Sequence, residues 1–462
     1  MKYVSTRGQA PELSFEEAML TGLARDGGLY LPAEIPVMSQ DDIAALAGLS
    51  YEEIAFRVMW PYVSGSFGED EFKQIIARAY KGFGHDARAP LKQLNENHFL
   101  LELFHGPTLA FKDFAMQLIG QLFQVALKRR GDRVTIVGAT SGDTGSAAIE
   151  AFRGLDAVDV FILYPHGRVS EVQRRQMTTP SDSNVHALAV DGDFDDCQAA
   201  LKDMFNDFDF RDGVKLAGVN SINFARVLAQ IVYYFSAAVS LGAPHRKVSF
   251  TVPTGNFGDI FAGYLAKRMG LPIDRLVVAT NQNDILHRCL AGEGYFKGDT
   301  IPSISPSMDI QVSSNFERAL YYAYDEDGNS VAQLMDELKT GGFNVSQGAM
   351  EALRESFDSG RVSEEETLAT ITATLAHSTE LVCPHTAVGI KVAEEHRDAN
   401  VPMITLATAH PAKFPAAVEN ASGVHPPLPS RMSDLYERPE RVTRIANDLG
   451  ALEDHIKGHI AE

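Results

Sequence analysis

Two rhythms of apolar residues divide the chain. Through about residue 95 the apolar positions recur at helical spacing between charged ones, in SFEEAMLTGL, SQDDIAALAGL, YEEIAFRVMW and EDEFKQIIARAY. This predicts a mainly helical, separate N-terminal unit. Beyond it the pattern shortens to β-branched runs: DRVTIVGAT, VDVFILYP, NVHALAV, VKLAGVN, KVSFTVPTG, RLVVATN and VPMITLAT, most of them separated by helical stretches. Short two-sided apolar strands alternating with helices predict an α/β fold with parallel sheet buried on both faces. The strands could fill one wide sheet; two α/β subdomains with parallel-rich sheets facing a cleft are the preferred reading. The alternation breaks between Gly292 and Gly342, where TIPSISPSMDIQVSSNFERALYYAYDEDGNS reads as a long ordered loop followed by a helix, a lid or a subunit contact. The expected organisation is an N-terminal unit over 1–95, a core over 96–425, and a Pro-rich, then charged and helical tail over 426–462.

Composition narrows the function classes. The 462 residues are 45% hydrophobic, ample for a large core. With 61 acidic against 41 basic side chains the formal charge is -20, which argues against nucleic acid and anionic membranes as partners. An anionic small molecule would need locally focused cations and backbone N–H groups. The three cysteines, Cys197, Cys289 and Cys383, are too few and scattered for a disulfide framework, which suits a reducing compartment. The N-terminus lacks the apolar run of a signal peptide and is too acidic for a transit peptide, so a cytoplasmic protein is expected. The longest apolar run, VLAQIVYYFSAAVSLGA from Val227, reads as a buried helix and not a membrane span. His377, Cys383 and His385 fall close together but lack a fourth ligand at a recognised spacing, so no metal is expected.

Candidate chemistry centres on HGPTLAFKDFAMQ. It places Lys112 in the first turn of a helix whose apolar residues include Phe114, Leu118, Leu122 and Leu127. An ordinary surface lysine would lay its stem over the aromatics and leave its ammonium in water. Helix-end potential and partial burial instead favour the neutral amine of nucleophilic or Schiff-base chemistry. Three strand ends then run into turns that open helices, where ligands of such sheets bind. VTIVGATSGDTGSAAIEAF is either a tight strand-to-helix connection that needs glycine for geometry alone or a turn in which Gly142 and Gly145 let N–H groups and the Ser141 and Thr144 hydroxyls converge on an anion. In SFTVPTGNFGDIFAGYLAKRMG, Gly255 to Asp259 form either a plain turn or one suited to a phosphate, with Asn256 as a side-chain donor and the Asp259 charge standing against it. In LAGVNSINFARVLAQIVYY, Asn220, Ser221 and Asn223 are either plain helix caps or, with Arg226, a second anion cradle. A lysine amine with separate anion cradles suggests pyridoxal phosphate and a phosphorylated or carboxylate-bearing substrate.

At these residues the sequence resembles the threonine synthases, fold type II pyridoxal-phosphate enzymes of the tryptophan synthase β-like kind. YVSTRG, HGPTLAFKDFAMQ, GATSGDTGSAA, VNSINFAR, PTGNFGD, SPSMDIQVSSNFER and ATAHPAKFP carry the resemblance in order along nearly the whole chain, and the N-terminal unit is similar to the bacterial and fungal type. The resemblance implies that Lys112 is the Schiff-base lysine and catalytic residue. Gly255, Asn256, Phe257 and Asp259 would surround the cofactor phosphate, and Thr408 would meet the pyridine nitrogen. Ser141, Asp143 and Thr144 would lie at the substrate carboxylate, and Asn220, Ser221 and Arg226 at the substrate phosphate. It implies conversion of O-phospho-L-homoserine and water to L-threonine and phosphate, by a monomer or homodimer. A serine or threonine dehydratase, or a phospho-lyase, would keep the lysine and the glycine turn. A catalytically idle cofactor-binding scaffold is the remaining reading, although none of the key residues is missing.

Overall fold

Each of the seven apolar runs forms a strand, and a computed structural model, which describes residues 1–460, divides them between two sheets. One sheet takes Val134–Ala139, Val158–Pro165, Val185–Asp191 and the short Leu216–Ala217. The other takes Val248–Pro253, Ile273–Thr280 and Met403–Ala407. Both sheets gain strands that the apolar pattern did not announce. The six-stranded sheet runs in the order Phe357–Arg361, Ile273–Thr280, Val248–Pro253, Met403–Ala407, His98–Glu102, Leu91–Asn95. Its neighbours are parallel except for the hairpin Leu91–Asn95/His98–Glu102. The five-stranded sheet is parallel throughout.

The tail departs from expectation. It is not helical throughout: Thr443–Ala446 adds an edge strand beside Val185–Asp191, and Leu449–Lys457 follows as a helix. Three of the four residues of that strand are exposed, so backbone pairing, which leaves no apolar signature, holds it in place. Leu452 and Ile456 of the helix are fully buried in one cluster with Cys197 and Met204.

The N-terminal helices start where serine meets a carboxylate three residues on: Ser14 with Glu17, Ser39 with Asp42 and Ser50 with Glu53 form reciprocal capping boxes. Their apolar faces do not close on themselves. Tyr3 and Tyr62 pack against Phe224 at 5.4 and 6.1 Å, and Tyr51 against Phe114 at 5.4 Å, so one continuous core joins this unit to the helices Phe224–Ser240 and Lys112–Arg130. Phe224–Ser240 is the apolar run first read as a buried helix, and among the described residues no helix is long and apolar enough to cross a membrane.

Fully buried Arg318 locks these parts together, donating to the Tyr30 carbonyl at 2.9 Å, to the Ile222 carbonyl at 2.6 Å and to Asn315 Oδ1. Next to it Glu317 accepts from Thr6 at 2.6 Å and from Arg7 at 3.0 Å. The segment after Gly292 is the loop and helix expected, and it packs against the carboxyl end of Val248–Pro253, where Ser313 Oγ donates to the Gly255 carbonyl at 2.6 Å.

Candidate active site

The chain brings Lys112 to the end of strand Met403–Ala407 by zipping two loops together. Phe111 N–H donates to the Thr408 carbonyl at 2.8 Å and His410 N–H to the Leu109 carbonyl at 3.0 Å. Asp113 braces the approach, accepting from Thr108 N–H at 2.8 Å and Thr108 Oγ1 at 2.6 Å. Thr408 is itself buried. The Lys112 ammonium is not in water: the residue is 7% exposed, and its Nζ lies 3.1 Å from Asp143 Oδ2 and 3.4 Å from Ser307 Oγ. Burial lowers its pKa below the ordinary lysine range despite Asp143, with Lys413 and Arg226 pushing the same way as burial. The surface-lysine reading therefore fails, and the neutral amine is within reach.

Asp143 opens the helix Asp143–Phe152, and the loop before it is shaped by a residue the sequence reading passed over. Thr140 Oγ1 accepts from Gly142 N–H and Gly145 N–H, both at 2.9 Å. Gly142 has φ +133°, and a Cβ there would sit 2.4 Å from the Gln173 carboxamide, so only glycine fits. Gln173 in turn donates to Asp143 Oδ1 at 3.0 Å, and Ser307 Oγ to Asp143 Oδ2 at 3.2 Å. Lys413 completes the shell, its Nζ 3.0 Å from Asp143 Oδ1. Burial alone would raise the carboxyl pKa; Lys112, Lys413, His385 and Gln173 outweigh it and hold Asp143 well below the usual carboxylate range. Its side chain is thus an ion-pair hub, whereas Ser141 and Thr144, half-buried on the same loop, make no side-chain hydrogen bond among the described residues.

The glycine turn after Val248–Pro253 ends in Phe257, a non-glycine residue at φ +62°, a strain on the order of 1 kcal/mol. The Phe257 ring is buried edge-on to Phe316 and Phe357 at 5.3 and 5.1 Å, so the residue offers its backbone to the turn and its side chain to the core. A Cβ on Gly255 would lie 2.6 Å from the Ser307 carbonyl, so the turn and the 303–315 loop close tightly. Asn256 accepts from Ser314 Oγ at 3.2 Å through its side-chain oxygen, leaving its amide nitrogen without a partner among the described residues. The Asp259 charge that stood against a phosphate is turned away. Tyr233 and Tyr234 donate to Asp259 Oδ1 at 2.5 and 3.0 Å, and burial pushes the carboxyl up to about 7.

The third segment splits. Asn223 caps the helix Phe224–Ser240, accepting from Ala225 N–H, and its amide holds the Met19 carbonyl at 2.8 Å. Asn220 is exposed and Ser221 half-buried, and the contact of Ser221 is through its carbonyl, to Asn315 Nδ2 at 3.1 Å. Arg226 alone is buried toward Lys112, whose pKa it lowers. Among the described residues it forms no ion pair, the one hydrogen bond of its side chain being a long 3.5 Å contact to the Val219 carbonyl, and burial lowers its pKa to about 10. A buried guanidinium without a counter-ion is costly, a cost that a bound anion would offset.

Lys112 and Lys413 thus share one ionised carboxylate, Arg226 adds a further buried cation near Lys112, and the Gly255 turn closes tightly against the loop that carries Ser307. An anionic aldehyde fits both features. The family models match in sequence: "Threonine synthase N terminus" over residues 2–80, "Pyridoxal-phosphate dependent enzyme" over 85–333 and "Threonine synthase, C-terminal" over 386–456. A threonine synthase of Pseudomonas aeruginosa is 56% identical, the alignment covering 99% of this chain and 98% of that one.

The chain belongs to the threonine synthase family.

The crystal structure of a pyridoxal-phosphate-bound threonine synthase from Brucella melitensis superposes with a TM-score of 0.97 at 56% identity, covering 99% of each chain. That of yeast threonine synthase does so at 0.93 and 42%, covering 99% of this chain and 98% of its own. The fold is that of a fold type II enzyme, and the cofactor is pyridoxal 5'-phosphate. Ser307 and Lys413 lie in motifs that carry the family resemblance, SPSMDIQVSSNFER and ATAHPAKFP, and His385 in the stretch weighed for a metal, yet no spacing rule marks them as parts of the site. Among the described residues no group of three or more His, Cys, Asp or Glu side chains is placed to hold a metal ion.

Proposed function

We propose that this chain converts O-phospho-L-homoserine and water into L-threonine and inorganic phosphate, the last step of threonine biosynthesis. The observation that carries this reading is Arg226, a buried guanidinium near the depressed amine of Lys112 with no ion-pair partner among the described residues. A substrate with its own phosphate requires such a second cation; a serine or threonine dehydratase does not.

In this reading the N–H groups of Gly255 to Asp259 and the Asn256 amide hold the cofactor phosphate, Lys112 holds the aldehyde carbon, and the Thr408 hydroxyl meets the ring nitrogen. Bound pyridoxal phosphate supplies the electron sink that acidifies the substrate Cα–H. Ser141 and Thr144 orient the substrate carboxylate. Once the substrate amine has replaced it at the aldehyde carbon, the freed Lys112 amine would take the Cα proton, pass it on, and then take a Cβ proton as the Cγ–O bond breaks and phosphate departs into the grip of Arg226. A proton returns to Cγ, water oxygen bonds to Cβ, and a last proton to Cα completes threonine. The phosphate retained by Arg226 lies ready to take the proton that the water loses.

The test is product analysis. Purified protein given phosphohomoserine should release phosphate and threonine in equal amounts, and Lys112→Ala should release neither. Ammonia and a ketoacid from phosphohomoserine would instead make it a phospho-lyase, and the same products from threonine a dehydratase. Within this proposal the protein works in the cytoplasm as a monomer or homodimer, with functional units at 1–95, 96–425 and 426–462.

A further inference from the structure

Lys413 ends the short helical turn Pro411–Lys413, and its side chain has no exposed surface. Its ammonium donates to the Thr108 carbonyl at 2.7 Å and lies 3.0 Å from Asp143 Oδ1, while Lys112 takes the other carboxylate oxygen at 3.1 Å. One buried carboxylate is therefore shared by two ammonium groups, of which only Lys112 has chemistry to do. To react with an aldehyde, Lys112 must give up its proton to solvent. Without Lys413, that loss would leave Asp143 as a buried charge with no cation paired to it, a costly state that would hold the proton on Lys112. With Lys413 in place the carboxylate stays paired whatever Lys112 does.

We propose that Lys413 is the permanent counter-ion of Asp143, a positioning residue that frees Lys112 to become the neutral amine that captures pyridoxal phosphate. The surrounding groups agree. Lys112 faces Asp143 and Ser307, with Lys413 and Arg226 as further cations. Asp143 also faces Gln173 and His385; the latter, held near 4 by burial, is uncharged and accepts from Ser307 N–H at 3.2 Å. Asp113 lies across Thr108 from Lys413. The inference rests on Lys112 being the cofactor lysine and is independent of which substrate is turned over.

The experiment follows the visible absorbance of cofactor-free protein on addition of pyridoxal 5'-phosphate across a pH series. In Lys413→Met the midpoint for capture should move up by about one pH unit, with capture roughly tenfold slower at neutral pH and restored in alkali. An unmoved midpoint in a folded variant, with only the melting temperature lowered, would make Lys413 a packing residue and overturn the proposal. Should Lys413→Met not fold, Asp143→Asn is compared with Asp143→Asn/Lys413→Met. If Lys413 acts by pairing Asp143, these two should capture at nearly the same pH although Lys413→Arg, which keeps the charge, captures as the unaltered protein does; a Lys413→Arg midpoint raised by a full unit in a folded variant would overturn the proposal. Threonine formation is assayed separately, so failure of the proposed reaction and failure of this ion-pair arrangement are told apart.

Discussion

Among the described residues Arg226 has no ion pair to lose, and removing its charge should act chiefly on substrate. Arg226→Ala is expected to lower kcat/KM for phosphohomoserine by roughly 10- to 100-fold, the size of a charge-assisted contact. The dissociation constant for pyridoxal phosphate should stay within about threefold, since that phosphate is assigned to the glycine turn. Steady-state kinetics and cofactor titration separate the two, and equal losses would sink the assignment. Asp259 offers a pH prediction. Its carboxyl is raised to about 7 in the folded protein against 3.8 ordinarily. From about pH 4 to 7 the unfolded chain ionises while the folded one keeps its proton, so stability falls as pH rises and the penalty is constant above 7. Asp259→Asn keeps an acceptor for Tyr233 and Tyr234 and should remove this slope, worth at most about 4 kcal/mol, in urea melts across that window.

At the scale of elements, the loop into Asp143–Phe152 depends on one backbone geometry. Gly142→Ala forces a Cβ against Gln173 at φ +133° and should cost about 1–3 kcal/mol, with loss of turnover as Gln173 leaves Asp143. Thermal melts with a parallel assay check it. This scale also shows what the sequence made legible. Strands with β-branched interiors, such as VDVFILYP, announced themselves; FDSGR and TRIA did not, because a short edge strand is held by ladder bonds that any side chain permits. The site divides the same way. Lys112 and the glycine turns were readable because their chemistry needs special residues next to special turns. Lys413 and Ser307 reach Asp143 from segments far along the chain, and that convergence is a property of the fold. Asp143 itself was noticed, but with the substrate carboxylate as its expected neighbour and not two lysines.

For the whole molecule, the last helix is the stabilising counterpart of the tail strand. Leu452→Ala empties a fully buried position beside Cys197 and Met204 and should cost about 2–5 kcal/mol. Hydrogen exchange should then show Val185–Asp191 opening first, because its outer edge is covered only by Thr443–Ala446. The order of strands has a further consequence. Met403–Ala407 is inserted between Val248–Pro253 and His98–Glu102, segments made far earlier in synthesis. While the ribosome works through the segment between Pro253 and Met403, both earlier strands wait with a bare flank. The nascent polypeptide is thus barred from catalysis until Met403–Ala407 has emerged, and in that interval it depends most on protection from its own stickiness.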